Sequence, residues 1–125
     1  MAGSIVHVEM PADDDARATD FYASLFGWSW NTAEMPGLTY HMSEPASGPV
    51  TAIYRTTEGA RGPIIYFDSD DIDADLARVR ELGGRAEDKQ PIPGVGWFAR
   101  CRDTEGNAFS LFQPDSSIQP PGTTG

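Results

Sequence analysis

The segment IVHVEMPADDDARATDFYASLFGW, residues 5–28, decides the fold because a second segment, IIYFDSDDIDADLARVRELGGR, residues 64–85, repeats its pattern. At an offset of 57 residues the two align without a gap, so that His7 meets Ile64. Both copies have the pattern of a buried strand, an acidic helix cap, an amphipathic helix and a glycine stop. A unit of this length that occurs twice predicts one supersecondary element duplicated within a domain. A site between the two first strands would draw on equivalent positions of both copies.

Alternating apolar residues and turn signals extend each copy to a βαβββ module. The modules are predicted over about residues 4–55 and 63–113, within one domain over residues 1–114 that is followed by a flexible tail over 115–125. The predicted strands are 4–10, 28–33, 38–43 and 50–55 in the first module, and 63–68, 85–92, 96–102 and 107–112 in the second.

Three local features refine this prediction. Pro11 is predicted to end the first strand, because proline lacks the backbone N–H that a strand donates. Residues 103–106, Asp-Thr-Glu-Gly, suit a hairpin turn. Helical spacing predicts two buried faces, formed by Phe21, Tyr22 and Leu25 in the first helix and by Ile72, Leu76, Val79 and Leu82 in the second.

Composition limits the class of protein. With 125 residues the chain is long enough for one domain with its own core. The formal net charge of −10 argues against nucleic acid and against an anionic membrane surface, which both require basic residues. No segment approaches the roughly 18 apolar residues of a membrane span. The single cysteine excludes an intrachain disulfide, and together these features favour a cytoplasmic protein.

Four short motifs, in this order and spacing, resemble the vicinal oxygen chelate superfamily, which includes glyoxalase I, bleomycin-resistance proteins and extradiol dioxygenases. They are H-x-E at residues 7–9, D-F-Y-x-x-L-F-G-W at 20–28, D-D-I-D-A at 70–74 and D-x-x-G-N at 103–107. The resemblance implies an α+β fold in which duplicated βαβββ modules form a curved mixed sheet around a central trough. It also implies a homodimer, since proteins resembling this family usually pair.

The resemblance further implies four metal ligands in metal-dependent members, from the first and last strands of both modules. His7 lies at the first of these positions, but Ile64 and Ser110 occupy two others, and residues 50–54 at the remaining one contain no His, Asp or Glu. Glu9, on the same strand face as His7, adds at most one donor. A Zn, Ni or Fe site needs three or four protein donors. We therefore expect no metal and no other cofactor.

The candidate site consists of residues that would line the trough. His7 and Glu9 are the candidate acid/base residues, and a small aromatic or amphipathic ligand is expected. The candidate ligand-binding residues are Ile64, Tyr66, Ser110, Phe112, Tyr54 and Trp97. The alternative is that these side chains simply fill the trough.

Two other reactive residues are expected to play no part. His41 is predicted to be a surface histidine, and Cys101 to behave as a small buried hydrophobe.

Three functions stay open from the sequence. The first is a metal-independent small-molecule-binding protein of the glyoxalase/bleomycin-resistance type. The second is a lyase, isomerase or hydroxylase-like enzyme that uses His7 or Glu9 as an acid/base. The third is a non-catalytic interaction module.

Overall fold

The computed structural model describes residues 3–43, 48–56 and 62–119. The chain divides into two compact units, one comprising residues 6–65 and the other residues 1–5 with 66–125. The first module contains β1 (Ile5–Ala12), α1 (Asp15–Phe26), β2 (Trp30–Met35), β3 (Leu38–Ser43) and β4 (Val50–Arg55). The second contains β5 (Ile64–Asp68), α2 (Ile72–Glu81), β6 (Arg85–Ala86), β7 (Gln90–Ile92), β8 (Gly96–Arg102) and β9 (Ala108–Pro114). The α+β class and the duplicated arrangement are thus confirmed.

Within the unit of residues 6–65 the strand order is β2-β3-β4-β1. The pairs β2–β3 and β3–β4 are antiparallel, whereas β1 and β4 are parallel, so the sheet is mixed. Helix α1 begins after Asp14, whose side chain accepts a 3.0 Å hydrogen bond from the N–H of Arg17. It ends at Gly27, whose φ of +74° closes the helix in the left-handed conformation that favours glycine.

The predicted buried face of α1 is wrong at two of its three positions. Phe21 and Leu25 are 59% and 58% exposed, and no residue of this helix is fully buried. The face turned toward the sheet is instead that of Asp15, Ala18 and Tyr22, spaced at i, i+3 and i+7. Asp15 bonds to His41 of β3, and the other two residues line a cavity with Met10 of β1 and Ile53 of β4. Helical periodicity identifies the apolar stripe of α1, but the contacts of the helix with the sheet determine which residues of that stripe are buried.

The second unit has a well-filled core beneath α2. Its buried cluster comprises Ile72, Leu76, Ala99, Cys101 and Leu111. Strand β8 pairs antiparallel with β9, β6 and β7. The predicted burial of Ile72 and Leu76 is confirmed, whereas Leu82 is 60% exposed, because α2 ends at Glu81 and Leu82 is only its cap.

Several observed strands differ from the predicted ones, among them β2, at Trp30–Met35 instead of 28–33, and β9, at Ala108–Pro114 instead of 107–112. Strand β1 continues through Pro11 to Ala12, and the Ala12 carbonyl accepts a hydrogen bond from Thr56. Pro11 lacks only its own backbone N–H donor, so the carbonyl of the next residue, Ala12, can still accept a hydrogen bond. The single strand predicted over residues 85–92 is divided into β6 and β7.

The predicted hairpin turn before β9 is confirmed. The Asp103 carboxylate accepts hydrogen bonds from the backbone N–H groups of Glu105 and Asn107 at 2.8 and 2.9 Å. Beyond β9, the Asp115 N–H bonds to the Val95 carbonyl and the Ile118 carbonyl accepts from Gly94. Residues 120–125 of the predicted tail lie outside the described residues. Among the residues that the structure describes, neither helix is long and apolar enough to cross a membrane.

Candidate functional site

Three polar side chains converge on the face of the first unit's sheet that points away from α1. His7 and Glu9 are two residues apart on β1 and therefore share a face. Tyr40 comes from β3, two strands away, with β4 between them. Glu9 lies opposite Ala52 of β4, whose side chain is a single methyl group. This small residue leaves room for the Tyr40 side chain to extend across β4 to β1.

The Tyr40 hydroxyl bridges the other two groups. It donates to Oε2 of Glu9 at 2.7 Å and lies 2.7 Å from Nε2 of His7. Because the phenol has one proton and donates it to Glu9, His7 donates its Nε2–H to the Tyr40 oxygen. The ring planes of His7 and Tyr40 differ by only 4°, and Tyr54 stacks on Tyr40 with centroids 6.4 Å apart.

The electrostatics of this cluster favour a neutral imidazole. Burial lowers the pKa of His7 below its usual value, and the negative charge of Glu9 opposes this shift. A neutral imidazole hydrogen-bonded through a phenol to a carboxylate can accept a proton from a bound molecule or pass one along the chain. All three side chains are half-buried, so they remain accessible to a ligand. We refer to His7, Tyr40 and Glu9 as the relay.

Sequence reasoning found two members of the relay and missed the third. The H-x-E spacing placed His7 and Glu9 on one face, and the structure brings them together with Tyr54, another predicted residue. Tyr40 was missed because its role depends on strand register, which pairs it with Tyr54. The sequence did contain a signal for this pair, because the predicted strands 38–43 and 50–55 each carry a tyrosine, Tyr40 and Tyr54.

The remaining candidate residues lie on β5 and in the second unit. Ser110 and Phe112 share the face of β9 that points away from α2, since Leu111 between them belongs to the α2-side core. The Ser110 hydroxyl is completely buried and has no hydrogen-bond partner among the described residues. Tyr66 is buried, and Ile64, at the start of β5, is half-buried.

Trp97 does not join Ser110 and Phe112. It packs against the core cluster on the α2 side of β8, opposite to their face. Its indole N–H donates to Asp115 at 3.2 Å, and the Lys89 ammonium lies 4.5 Å from its ring centroid. The physical reason is alternation: Trp97 has the same parity as the core residue Ala99.

The donors present do not suit a metal ion. Across residues 3–43, 48–56 and 62–119, no group of three or more His, Cys, Asp or Glu side chains is placed to hold one. His7 and Glu9 are two donors, and both are already engaged by the Tyr40 hydroxyl. A site of the zinc type takes three or four protein donors.

His41 is not the surface residue that the sequence predicted. Its side chain is 14% exposed and bonds at Nε2 to Asp15 of α1, at 2.7 Å, and at Nδ1 to the Thr32 hydroxyl, at 2.9 Å. The His41 hydrogen bond is the main cause that lowers the pKa of Asp15. This contact fastens the start of α1 to β3, on the side of the sheet opposite to the relay.

Cys101 has the properties of a packing residue. It is buried in the second unit's core, and burial raises the pKa of its thiol to about 11. Since the thiolate is the nucleophilic form, this environment disfavours reactivity.

Comparison with known proteins agrees with this architecture. The sequence model of the glyoxalase-like domain family matches residues 6–112. A glyoxylase-like domain-containing protein of Didymella fabae is 28% identical over 130 residues, covering 87% of this chain and 92% of that protein. CFP32 of Mycobacterium bovis is 31% identical over 121 residues, covering 89% of this chain. The anthracycline biosynthesis protein DnrV of Streptomyces peucetius is 26% identical over 129 residues, also covering 89% of this chain. The chain spans about half the length of the last two, 46% and 47%.

Solved structures share the fold. Methylmalonyl-CoA epimerase from Mycobacterium tuberculosis superposes with a TM-score of 0.72 at 18% identity, over 90% of this chain and 88% of that one. A methylmalonyl-CoA epimerase in complex with methylmalonyl-CoA and NH4+ superposes with a TM-score of 0.68 at 19% identity, over 96% and 100% of the two chains.

Proposed function

Because this chain belongs to the glyoxalase-like domain family, we propose that it binds a small aromatic or amphipathic molecule at the relay and does so without a metal ion. The observation that carries the proposal is the pair of 2.7 Å hydrogen bonds that hold the Tyr40 hydroxyl between His7 and Glu9. They fix an imidazole, a phenol and a carboxylate on one half-buried face. A few convergent polar groups beside aromatic rings are typical of small-molecule sites.

The chemistry of the ligand follows from this face. The rings of Tyr40 and Tyr54 offer stacking surface for an aromatic or planar group. Glu9 accepts hydrogen bonds, and the imidazole of His7 can donate or accept them. The formal charge of −10 favours neutral or cationic ligands by steering. Coenzyme A esters carry several phosphates, so we expect this protein to prefer other ligands than the methylmalonyl-CoA held by its structural neighbour.

Proton transfer is a second candidate function, and the relay itself favours it. A carboxylate bonded through a phenol to a neutral imidazole can withdraw a proton from carbon beside a carbonyl and return it without a metal. An isomerase or lyase of this kind would use His7 as the base, because burial keeps its imidazole neutral. The alternative of a non-catalytic interaction module has no comparable support.

We also propose that two copies pair as a homodimer in the cytoplasm. The support is an exposed apolar surface on α1, formed by Phe21, Leu25 and Phe26, which are each more than half exposed. Contiguous exposed apolar side chains often mark a protein–protein contact. Light scattering should give twice the monomer mass of 13.5 kDa. A monomer mass of the parent protein at high concentration would contradict pairing. A dimer mass that persists in Phe21→Asp would contradict pairing through this surface.

The function is tested by ligand screening with the chelator-treated protein. A thermal-shift screen of neutral and cationic aromatic metabolites and antibiotics, with methylmalonyl-CoA included, identifies ligands, and calorimetric titration measures their affinity. We expect at least one ligand to bind equally well before and after chelator treatment. Tyr40→Phe should weaken it about tenfold, the loss of one charge-assisted hydrogen bond. Arg78→Ala, a change of an exposed α2 residue, should leave affinity unchanged.

Each outcome decides between the candidates. Hydrogen–deuterium exchange of the bound ligand in heavy water, lost in His7→Ala, would establish proton transfer, and binding without exchange would establish a binding protein. Affinity that disappears on chelation and returns with zinc would overturn metal independence. A ligand whose affinity is the same in Tyr40→Phe and the parent protein would place its site elsewhere.

A further inference from the structure

The first unit contains a cavity on the other side of its sheet from the relay. It has a volume of about 320 Å³ and lies between α1 and the sheet. Its walls include Met10 on β1, Ile53 on β4, Ala18 and Tyr22 on α1, and Pro63. Met10 follows Glu9 directly on β1, so its side chain points to the opposite face. The cavity and the relay are therefore separate features of one sheet.

The two copies of the duplicated unit differ in the side chains beneath their helices. At the offset of 57 residues, Asp15 and Thr19 of α1 occupy the positions that Ile72 and Leu76 occupy in α2. Those two residues of α2 are buried and fill the core of the second unit. In α1, Asp15 instead turns to His41, and no residue of the helix is fully buried. The first copy thus carries polar side chains where the second carries core-filling ones, and the helix residues that line its cavity are Ala18 and Tyr22.

The walls of the cavity specify the chemistry of its occupant. Among the residues that the structure describes, none of the lining side chains carries a charge, so a charged ligand would lose its hydration without compensation. Among the described lining residues the one hydroxyl is that of Tyr22, which donates to the thioether sulfur of Met10 at 3.7 Å. Sulfur is a weak acceptor, so a ligand oxygen would take this hydrogen bond from it.

We propose that this cavity is a second small-molecule site, which binds an uncharged aromatic molecule whose single acceptor oxygen bonds to the Tyr22 hydroxyl. Its volume lies at the lower end of the range of ligand pockets, about 300–1,000 Å³. The proposal does not depend on the function assigned to the relay, because Met10 and Ile53 of the cavity wall face the opposite side of the sheet from Glu9 and Ala52.

The test uses the full chain with its methionine methyl groups labelled with carbon-13. Acetophenone is the probe, and cumene, which has the same heavy-atom connectivity with a methyl group in place of the oxygen, is the matched control. Met10 lines the cavity, whereas Met42 lies on the relay face of β3, since it alternates with His41. We expect acetophenone to shift the Met10 signal in a saturable way and to leave the Met42 signal unchanged.

Two variants locate the binding. Ala18→Leu fills the cavity, so it should raise the melting temperature and abolish the Met10 shift. Ala16→Leu is the control, the same substitution on the exposed side of α1, and it should leave the shift intact. Tyr22→Phe should weaken acetophenone about fivefold, the effect of one neutral hydrogen bond. It should leave cumene binding unchanged.

The proposal is overturned if acetophenone gives no saturable Met10 shift, or if it shifts Met42 equally. It is also overturned if Ala18→Leu binds acetophenone as the parent protein does. Should Ala18→Leu not fold, equal affinity of acetophenone for Tyr22→Phe and for the parent would overturn the proposed hydrogen bond. A ligand of the relay reports on Met42 instead, so failure of one site is distinguishable from failure of the other.

Discussion

Replacing Tyr40 by Phe tests the relay without any ligand. The variant keeps the ring and its stacking on Tyr54 but removes the hydroxyl that lies 2.7 Å from both His7 and Glu9. A neutral hydrogen bond contributes about 1 kcal/mol to the free energy of unfolding, and one to a charged group about 1.5–3 kcal/mol. Because all three side chains are only half-buried, the lower values apply. We therefore expect a loss of about 2–3 kcal/mol.

Urea denaturation at neutral pH measures this loss of free energy. In thermal unfolding, a chain of this size loses about 4 °C of melting temperature per kcal/mol, so the melting temperature should fall by roughly 10 °C. Tyr22→Phe is the matched control, because its hydroxyl contacts only a sulfur, at 3.7 Å. It should cost less than about 0.5 kcal/mol.

A double-mutant cycle separates the hydrogen bond from other effects of the substitution. Tyr40→Phe and Glu9→Gln should couple by about 1 kcal/mol, since Glu9→Gln removes the charge of the acceptor in the hydrogen bond that Tyr40→Phe abolishes. Equal losses in the Tyr40 and Tyr22 variants, or a coupling free energy near zero, would refute the reasoning that this hydroxyl holds the relay together.

Three further predictions concern other parts of the molecule. Leu76→Ala should cost about 2–4 kcal/mol in urea denaturation, because Leu76 is only 4% exposed, whereas Leu82→Ala should cost little; similar losses for both would contradict the assigned core. The lowered pKa of His7 means that the unfolded chain binds the proton more readily, so the free energy of unfolding should fall as pH drops below 6.5. In His7→Gln the free energy of unfolding should depend less on pH below 6.5, and parallel pH profiles of variant and parent would exclude His7 as the cause. With its pKa raised to about 11, Cys101 should react with a thiol reagent at mildly alkaline pH only as fast as the protein unfolds; immediate labelling of the folded protein would show that the thiol is exposed.

Sequence reasoning succeeded where the determinants are local. Strands β3, β4 and β8 begin and end where alternation and turn residues predicted them, at 38–43, 50–55 and 96–102. The sequence also predicted a cap for α1 at Asp13 or Asp14, which the structure places at Asp14, and a glycine stop at Gly27, because each depends on neighbours within one helical turn.

It failed where the determinants are non-local. Phe21 and Leu25 have the spacing of a buried face, yet both are exposed, since the orientation of α1 is set partly by the Asp15–His41 contact with β3. Tyr40 belongs to the relay only because the pairing of β3 with β4 lets it reach across to β1. Neither contact can be derived from periodicity within one segment.

The repeat itself is regular in its first half and shifted in its second. Asp15 of α1 and Ile72 of α2 correspond at an offset of 57 residues. In the later strands the helix-facing residues His41 and Ala99 correspond at an offset of 58. A shift of one residue exchanges the two faces of a strand. Extending the first offset over the whole chain would pair Tyr40 with Trp97, which lies on the helix side of its own sheet.

With the corrected offset, both copies carry an aromatic pair at corresponding positions away from the helix. Tyr40 lies opposite Tyr54 in the first unit, and Phe98 lies opposite Phe112 in the second. The second pair has no hydroxyls, and the imidazole and carboxylate of β1 correspond to an isoleucine and a tyrosine of β5. The ring positions are therefore a property of the duplicated architecture, since they persist when the chemistry is absent. The hydroxyl, imidazole and carboxylate occur together in one copy only, and their hydrogen bonds, rather than the rings, distinguish the relay from the aromatic packing of the second copy.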